Sequence, residues 1–194
     1  EEACSMKLSI LICTLPERWG ELSALMGTLN PQILPDVEVV ISSDDMIKSI
    51  GQKRNDLLDA AKGDYVCFID DDDQISDQYV FLMLNALATE PDCVGINGVM
   101  YDKGRVRKPF THSIKHGRWY EDSKQFYRTP NHWNPIRIEL ARQVRFKPIN
   151  YGEDYDYSQR IFPLLKTEVY VTPPVYYYQF DGSKSMALKR KNEC

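Results

Sequence analysis

Four consecutive aspartates, Asp70 to Asp73, follow the apolar run Tyr65 to Ile69 (YVCFI) without a spacer. Carboxylates crowded at the end of a buried strand repel one another where water is scarce, so positive charge should gather there. A divalent cation would meet that need, and an all-oxygen donor set favours Mn²⁺ or Mg²⁺ over zinc. Such an ion could bridge a carboxylate to a diphosphate and neutralise the charge that builds on a leaving group. The bland alternative is a helix start decorated with acids. It suits Asp73 and Asp77, because negative charge is favoured at that end, but it leaves Asp70 unexplained.

Two other carboxylate chemistries fail on spacing. An EF-hand loop begun at Asp70 needs glycine at its sixth position, which is Ile75. A haloacid-dehalogenase-type nucleophile at Asp70 would be followed four residues on by Thr or Val, where Gln74 stands. A second acidic group, Glu153-Asp154, follows Gly152. It reads either as acids in the first turn of a helix or as a general base able to deprotonate a hydroxyl. His132-Trp133 precedes it, and the indole is either a stacking platform for a sugar or nucleobase or a core residue beneath a loop. His112, His116 and His132 lack helical metal-ligand spacing, and His132 is the first functional candidate among them. Trp119-Tyr120 is a further candidate for an acceptor loop.

The elements that must position these residues alternate. Leu8 to Cys13 (LSILIC) reads as a buried parallel strand, and Leu22, Leu25, Met26 and Leu29 recur at helical spacing until Asn30-Pro31. Val37 to Ile41 is a second strand ending near Asp44-Asp45. Ile50 to Lys62 is a helix closed by Gly63, and Tyr65 to Ile69 is a third strand. Ser76 is expected to cap the next helix, whose apolar face includes Tyr79, Leu82, Met83, Ala86 and Leu87. Val94 to Tyr101 suggests a fourth strand turning at Lys103-Gly104, while Phe110 to Asn134 has no clean period. A helix from Gly152 should turn Tyr157, Ile161 and Leu165 inward. Val169 to Val171 and Val175 to Tyr178 read as two late strands separated by Pro173-Pro174. The expectation is an α/β fold, a single Rossmann-like domain with a mainly parallel central sheet flanked by helices and its site at the strand ends.

The 194 residues suffice for one such domain. It is placed at residues 6–188, with 1–5 set aside as a remnant before Met6 and 189–194 as a basic tail. The chain is 43% apolar with net charge −4, which disfavours a general nucleic-acid coat. No run reaches the roughly 18 to 20 apolar residues of a membrane span, and there is no secretory leader pattern. Five scattered cysteines without zinc spacing fit a reducing compartment, and the expected location is cytoplasmic.

These motifs, in this order, resemble glycosyltransferase family 2, the inverting enzymes of GT-A fold, over Leu8 to about Ser185. The resemblance is carried by Thr14-Leu15-Pro16-Glu17-Arg18 after the first strand, Asp44-Asp45 after the second, and Lys53-Arg54-Asn55 followed by Ala61 to Tyr65. It continues through Phe68 to Asp73, similar to the family's D-x-D-D signature, Gly152 to Asp156, similar to its "ED" motif, and Gly182 to Ser185. It implies Thr14, Pro16, Glu17 and Arg18 in a nucleotide-contacting loop, and Asp44 or Asp45 on the donor base. Asp72 becomes the main metal ligand, Asp70 a ribose contact or second ligand, and Asp71 a neighbour of the donor. Lys53 and Arg54 lie near the donor's phosphates and sugar. Asp154 is the general base, and Glu153 supports it or binds acceptor together with His132 and Trp133. The chain departs from the family near its C-terminal loop, where Tyr177 to Gly182 contains no histidine and leaves Gln179, Asp181 or water to complete the metal site.

The implied reaction is Mn²⁺- or Mg²⁺-dependent transfer of a hexose from a nucleotide-diphosphate sugar, with uracil as the base (a UDP-sugar), to a hydroxyl of a glycan, a modified nucleobase or another compound. Two other classes stay open. A sugar-nucleotide nucleotidyltransferase of related fold would carry a Gly-rich loop where Thr14 to Gly20 stands. A non-catalytic nucleotide-sugar-binding module would be expected to lack Asp72 or Asp154.

Overall fold

Strand β1 (Leu8–Thr14) alternates its side chains between two helical layers. Leu8, Ile10 and Ile12 pack with Leu22, Leu25 and Leu29 of α1 (Trp19–Leu29), whereas Leu11 joins a second cluster with Leu57 and Leu58 of α2 (Ile50–Ala60). β2 (Val37–Ser43) and β3 (Tyr65–Phe68) flank β1 in parallel, and the apolar runs of β1 and β3 are buried on both sheet faces while β2 forms the edge. The computed structural model describes residues 6–180. Asp181, Gly182 to Ser185 and the basic tail lie outside the described residues.

The chain continues through β4 (Gln74–Ile75), α3 (Tyr79–Leu87), β5 (Cys93–Asp102), β6 (Arg105–His112), β7 (Tyr120–Glu121), β8 (Phe126–Arg128) and β9 (Ile136–Arg137). It finishes with α4 (Ile138–Val144), α5 (Glu153–Ile161) and β10 (Glu168–Phe180). The 10-stranded sheet runs β2-β1-β3-β9-β5-β6-β8-β7, and β10 pairs parallel with β5 and antiparallel with β4. The α/β class with a mainly parallel sheet is the one expected. The aperiodic stretch Phe110 to Asn134 resolves into the mixed end of that sheet, where the end of β6 pairs antiparallel with β5 and parallel with β8, and β8 pairs antiparallel with β7.

Three local expectations change. Ser76 does not cap α3. Its hydroxyl accepts from the amide of Gln78 in the turn before the helix, and Gln78 itself is the N-cap residue. α5 stops at Ile161, where Pro163 forces a 3₁₀ turn, so the inward-facing Leu165 lies beyond the helix. Pro173 and Pro174 do not divide two strands. β10 runs through them with register shifts on either side of Pro174, an irregularity that removes the need for a ladder donor at proline.

α2 carries Lys53 and Arg54 and is fixed at its N-terminal end. Ser49 and Gln52 form a reciprocal capping box: the Ser49 hydroxyl accepts from the Gln52 amide at 3.2 Å, and the Ser49 amide donates to Gln52 Oε1 at 2.9 Å. Gly51 lets the helix approach the segment before α5, since a Cβ there would lie 1.8 Å from the Lys147 carbonyl oxygen.

Candidate active site

The alternation of β3 continues past its end. Val66 and Phe68 face the α2 layer, and Asp70, two residues on, meets α2 through Arg54 Nη2, which donates to Asp70 Oδ1 at 3.2 Å. Asp70 Oδ2 accepts from Trp133 Nε1 at 3.0 Å and lies 3.4 Å from His132 Nε2. Burial opposes ionisation of Asp70, yet His132, Arg54 and Trp133 together hold its carboxyl below the ordinary range. The other aspartates are also individually partnered. Thr14 Oγ1 donates to Asp71 Oδ2 at 2.7 Å, and Arg18 Nη2 reaches Asp71 Oδ1 at 2.8 Å and Asp72 Oδ2 at 2.6 Å. Burial pushes the Asp71 carboxyl up to about 6, with Arg18 and Thr14 opposing and Asp72 and Asp70 adding to the rise. Burial also raises Asp72, against the pull of Arg18.

Asp73 belongs to the scaffold. Tyr176 donates its hydroxyl to Asp73 Oδ2 at 2.7 Å, the Gln179 amide donates to Oδ1 at 2.7 Å, and the same tyrosine oxygen accepts from the Asp70 amide at 3.1 Å. The loop after β3 is thus stapled to β10, which makes the helix-start reading of Asp73 wrong. Burial and its acidic neighbours raise the Asp73 carboxyl well above its usual value.

Arg54 joins the two acidic motifs. It is buried, its guanidinium carbon lies 5.6 Å from the Phe68 ring centre and 5.4 Å from that of Phe146, and Nη1 donates to Glu153 Oε1 at 2.6 Å. Glu153 and Asp154 open α5 after Gly152, whose φ of +76° suits glycine. Glu153 turns inward to Arg54, while Asp154 is half-buried and accepts from the Tyr155 amide at 2.8 Å. Arg54 Nη2 also lies 3.1 Å from His132 Nε2. His132 Nδ1 is buried without a hydrogen-bond partner among the described residues. The turn carrying His132 and Trp133 is held by two asparagines: Asn131 Oδ1 accepts from the Trp133 amide, and Asn134 Nδ2 donates to the Val94 carbonyl.

One cavity of about 910 Å³ brings these groups together. Arg18, Arg54, Asp70, Asp71, Asp72, His132, Trp133, Glu153 and Asp154 all line it. Thr14, Pro16, Glu17, Asp44, Asp45 and Lys53 do not. Pro16 opens the 3₁₀ turn that delivers Arg18, and Glu17 points to solvent. Lys53 is only 3% exposed and donates to the Thr14 carbonyl at 2.6 Å and to Asp44 Oδ1 at 2.9 Å, tying β1 to the loop after β2. Asp44 also accepts from the amides of Met46 and Lys48, and Asp45 is exposed. Trp133 is not an open platform. Its ring stacks on Tyr176 at 4.6 Å and on His112 at 5.3 Å, which makes it a support for Asp70. Sequence reasoning missed Arg107, Phe126, Arg128 and Tyr178 in the lining. Phe126 and Arg128 have only their two-residue strand spacing as a signal.

Comparison with known proteins adds the family. The family model described as Glycosyl transferase family 2 matches residues 48–151, more than half of the chain. The chain belongs to glycosyl transferase family 2. The matched segment contains Asp70 to Asp73 together with Lys53, Arg54, His132 and Trp133, and stops just short of Glu153-Asp154. A search of the curated proteins gave no match. Among solved structures, S. aureus TarS aligns at TM-score 0.69 and 18% identity over 90% of this chain and 37% of that one. The complex of TarS 1–349 with UDP aligns at 0.71 and 19% over 91% and 61%, and the complex with UDP-GlcNAc at 0.67 and 16% over 94% and 61%. At these identities the likeness establishes a shared fold, and the chain spans only part of the length of these relatives. No helix among the described residues is long and apolar enough to cross a membrane.

The dication expected of a family 2 site can be tested against the donor set. Among the described residues no three His, Cys, Asp or Glu side chains converge as an all-protein cage would require. Both Asp70 oxygens have protein donors, and Arg18 occupies one oxygen of Asp72. What remains, carboxylate oxygen on a partly open cavity wall, fits Mn²⁺ or Mg²⁺ held by one or two carboxylates and completed by phosphate and water.

Proposed function

We propose that the chain transfers a sugar, with inversion, from a nucleotide-diphosphate sugar to an acceptor hydroxyl. The observation that carries this reading is the cavity lined by both Asp70 to Asp72 and Glu153-Asp154, with Arg54 ion-paired to Asp70 and Glu153. Family membership supports it. The UDP and UDP-GlcNAc complexes of TarS support a uridine diphosphate donor.

Asp154 is the base. It accepts the acceptor hydroxyl proton as that oxygen bonds to the anomeric carbon, and the anomeric C–O bond breaks with its electron pair retained by the departing diphosphate. Backside attack inverts the centre. Glu153, fixed by Arg54, orients the first turn of α5 so that Asp154 stays at the cavity wall. Asp72, with Asp70 beside it, would hold Mn²⁺ or Mg²⁺, which when bound supplies positive charge for the leaving diphosphate. Arg18 adds charge from the same side.

The test is thermal unfolding with UDP and UDP-GlcNAc, with Mn²⁺ or EDTA, followed by turnover assays. Ligand at a hundred times its Kd stabilises by about 2.7 kcal/mol, a readily measured shift. Asp72→Ala should abolish the metal-dependent part. Asp154→Asn should keep the shift while transfer falls about 10²- to 10⁴-fold. A chain that no nucleoside diphosphate stabilises, or normal transfer by the Asp154→Asn variant, would overturn the assignment.

A further inference from the structure

The cavity has a second wall that the reaction above leaves unused. β6 supplies Arg107, β8 supplies Phe126 and Arg128, and Trp119 and Tyr155 complete it beside Asp154. The Arg107 guanidinium lies 5.5 Å from the Phe126 ring centre. That of Arg128 lies 5.2 Å from the same ring and 4.9 Å from Trp119. Two guanidinium cations are thereby held over aromatic rings.

Their charge is not compensated in the way the rest of the site is. Arg18 and Arg54, at the acidic end, are each bonded to two carboxylates. Arg128 donates to the main-chain carbonyls of Tyr120 and Tyr127, and neither Arg128 nor Arg107 forms an ion pair among the described residues. Glu121, whose charge both arginines feel, is held by Lys108 at 2.6 Å. Burial disfavours the charged form of Arg128, with Glu121 and Asp154 acting in opposition, so an anion arriving there would relieve a standing cost.

We propose that Arg107 and Arg128 bind an anionic group, a phosphate ester or a carboxylate, on the acceptor whose hydroxyl faces Asp154. A guanidinium fork matches either group through two parallel N–H donors, and the partly exposed Trp119 ring offers apolar surface to the carbon skeleton between anion and hydroxyl. The acceptor role rests on the glycosyltransferase reading; the anion site does not.

The test uses the full chain with UDP and Mn²⁺ present. Glucose 6-phosphate, glucuronate and glucose are titrated while the tryptophan indole resonances are followed by NMR. At least one anionic sugar should bind about tenfold tighter than glucose, and the pair of arms tells phosphate from carboxylate. Arg107→Gln and Arg128→Gln should each remove most of that advantage. Equal affinity for the three sugars, an advantage untouched in both variants, or displacement of the anionic sugar by UDP would each overturn the proposal. Arg107 is exposed, so its variant decides the matter even if Arg128→Gln fails to fold. If UDP does not bind while arginine-dependent binding of an anionic sugar persists, the donor reading falls and the anion site stands.

Discussion

Arg54→Met is the sharpest perturbation the structure offers. Arg54 supplies Glu153 with its ion partner at 2.6 Å and Asp70 with one of its donors, and it is itself only 4% exposed. Methionine keeps most of the packing between Phe68 and Phe146 but strands Glu153, whose side chain is 8% exposed, without a counter-charge. Removing one partner of a buried ion pair costs about 3 to 5 kcal/mol. A domain of this size has about 5 to 15 kcal/mol in hand, so the variant should still fold while its urea midpoint drops sharply. Adding Glu153→Gln separates the charge effect from lost packing, because the double variant no longer carries the stranded carboxylate. It should recover about 1.5 to 3 kcal/mol relative to additivity. Equilibrium urea unfolding of the four proteins, followed by tryptophan fluorescence, closes the cycle. A loss below about 1 kcal/mol, or a double variant additive within about 0.5 kcal/mol, would refute the claim that this guanidinium couples the two acidic motifs.

Two further outcomes follow from the aspartate loop. Asp71 is pushed up to about 6, so the folded chain binds its proton more tightly than the unfolded chain does. Its ionisation should therefore erode stability as pH rises from about 4 through about 6, by about 3 kcal/mol in all. Urea unfolding at pH 4 and pH 7 should show this drop reduced in Asp71→Asn, and an identical pH dependence in the variant would remove the assignment. Tyr176→Phe deletes the hydroxyl that donates to Asp73 and accepts from the Asp70 amide, at a cost of about 1 to 3 kcal/mol. Amide exchange at Asp70 should quicken in that variant, and unchanged protection would mean the staple to β10 does not hold the loop.

Legibility followed periodicity. The buried strands β1 and β3 announce themselves as apolar runs, the edge strand β2 as a shorter run broken by Glu38, and the helices between them by three- and four-residue spacing. The motifs on the tips of those elements accordingly bring Arg18, Arg54, Asp70 to Asp72, His132, Trp133, Glu153 and Asp154 into the lining of one cavity. What the sequence hid depends on contacts distant along the chain. Nothing local marks Tyr176 as the partner of Asp73, 103 residues away, or separates a buried structural Lys53 from its cavity-lining neighbour Arg54. One helical step of about 100° sends the lysine to the β1–β2 side and the arginine toward α5. Arg107 and Arg128 were silent for a similar reason. Arg128 sits on a three-residue strand, where a two-residue period carries little information, and the aromatic partner of Arg107 comes from another element.

The aspartate run also qualifies the electrostatic argument that first drew attention to it. Four adjacent acids do demand compensation, but in this fold guanidinium, indole, phenol and amide donors already meet much of that demand. An acidic cluster at a strand end is therefore no measure of metal affinity in itself. What matters is which oxygens stay available and which donor must be displaced. Here that donor is Arg18, shared between Asp71 and Asp72, and a cation settling on Asp72 must compete with it. The released guanidinium would still lie at the cavity wall, where a diphosphate offers it a new partner. Metal and nucleotide binding should then be mutually reinforcing through one arginine.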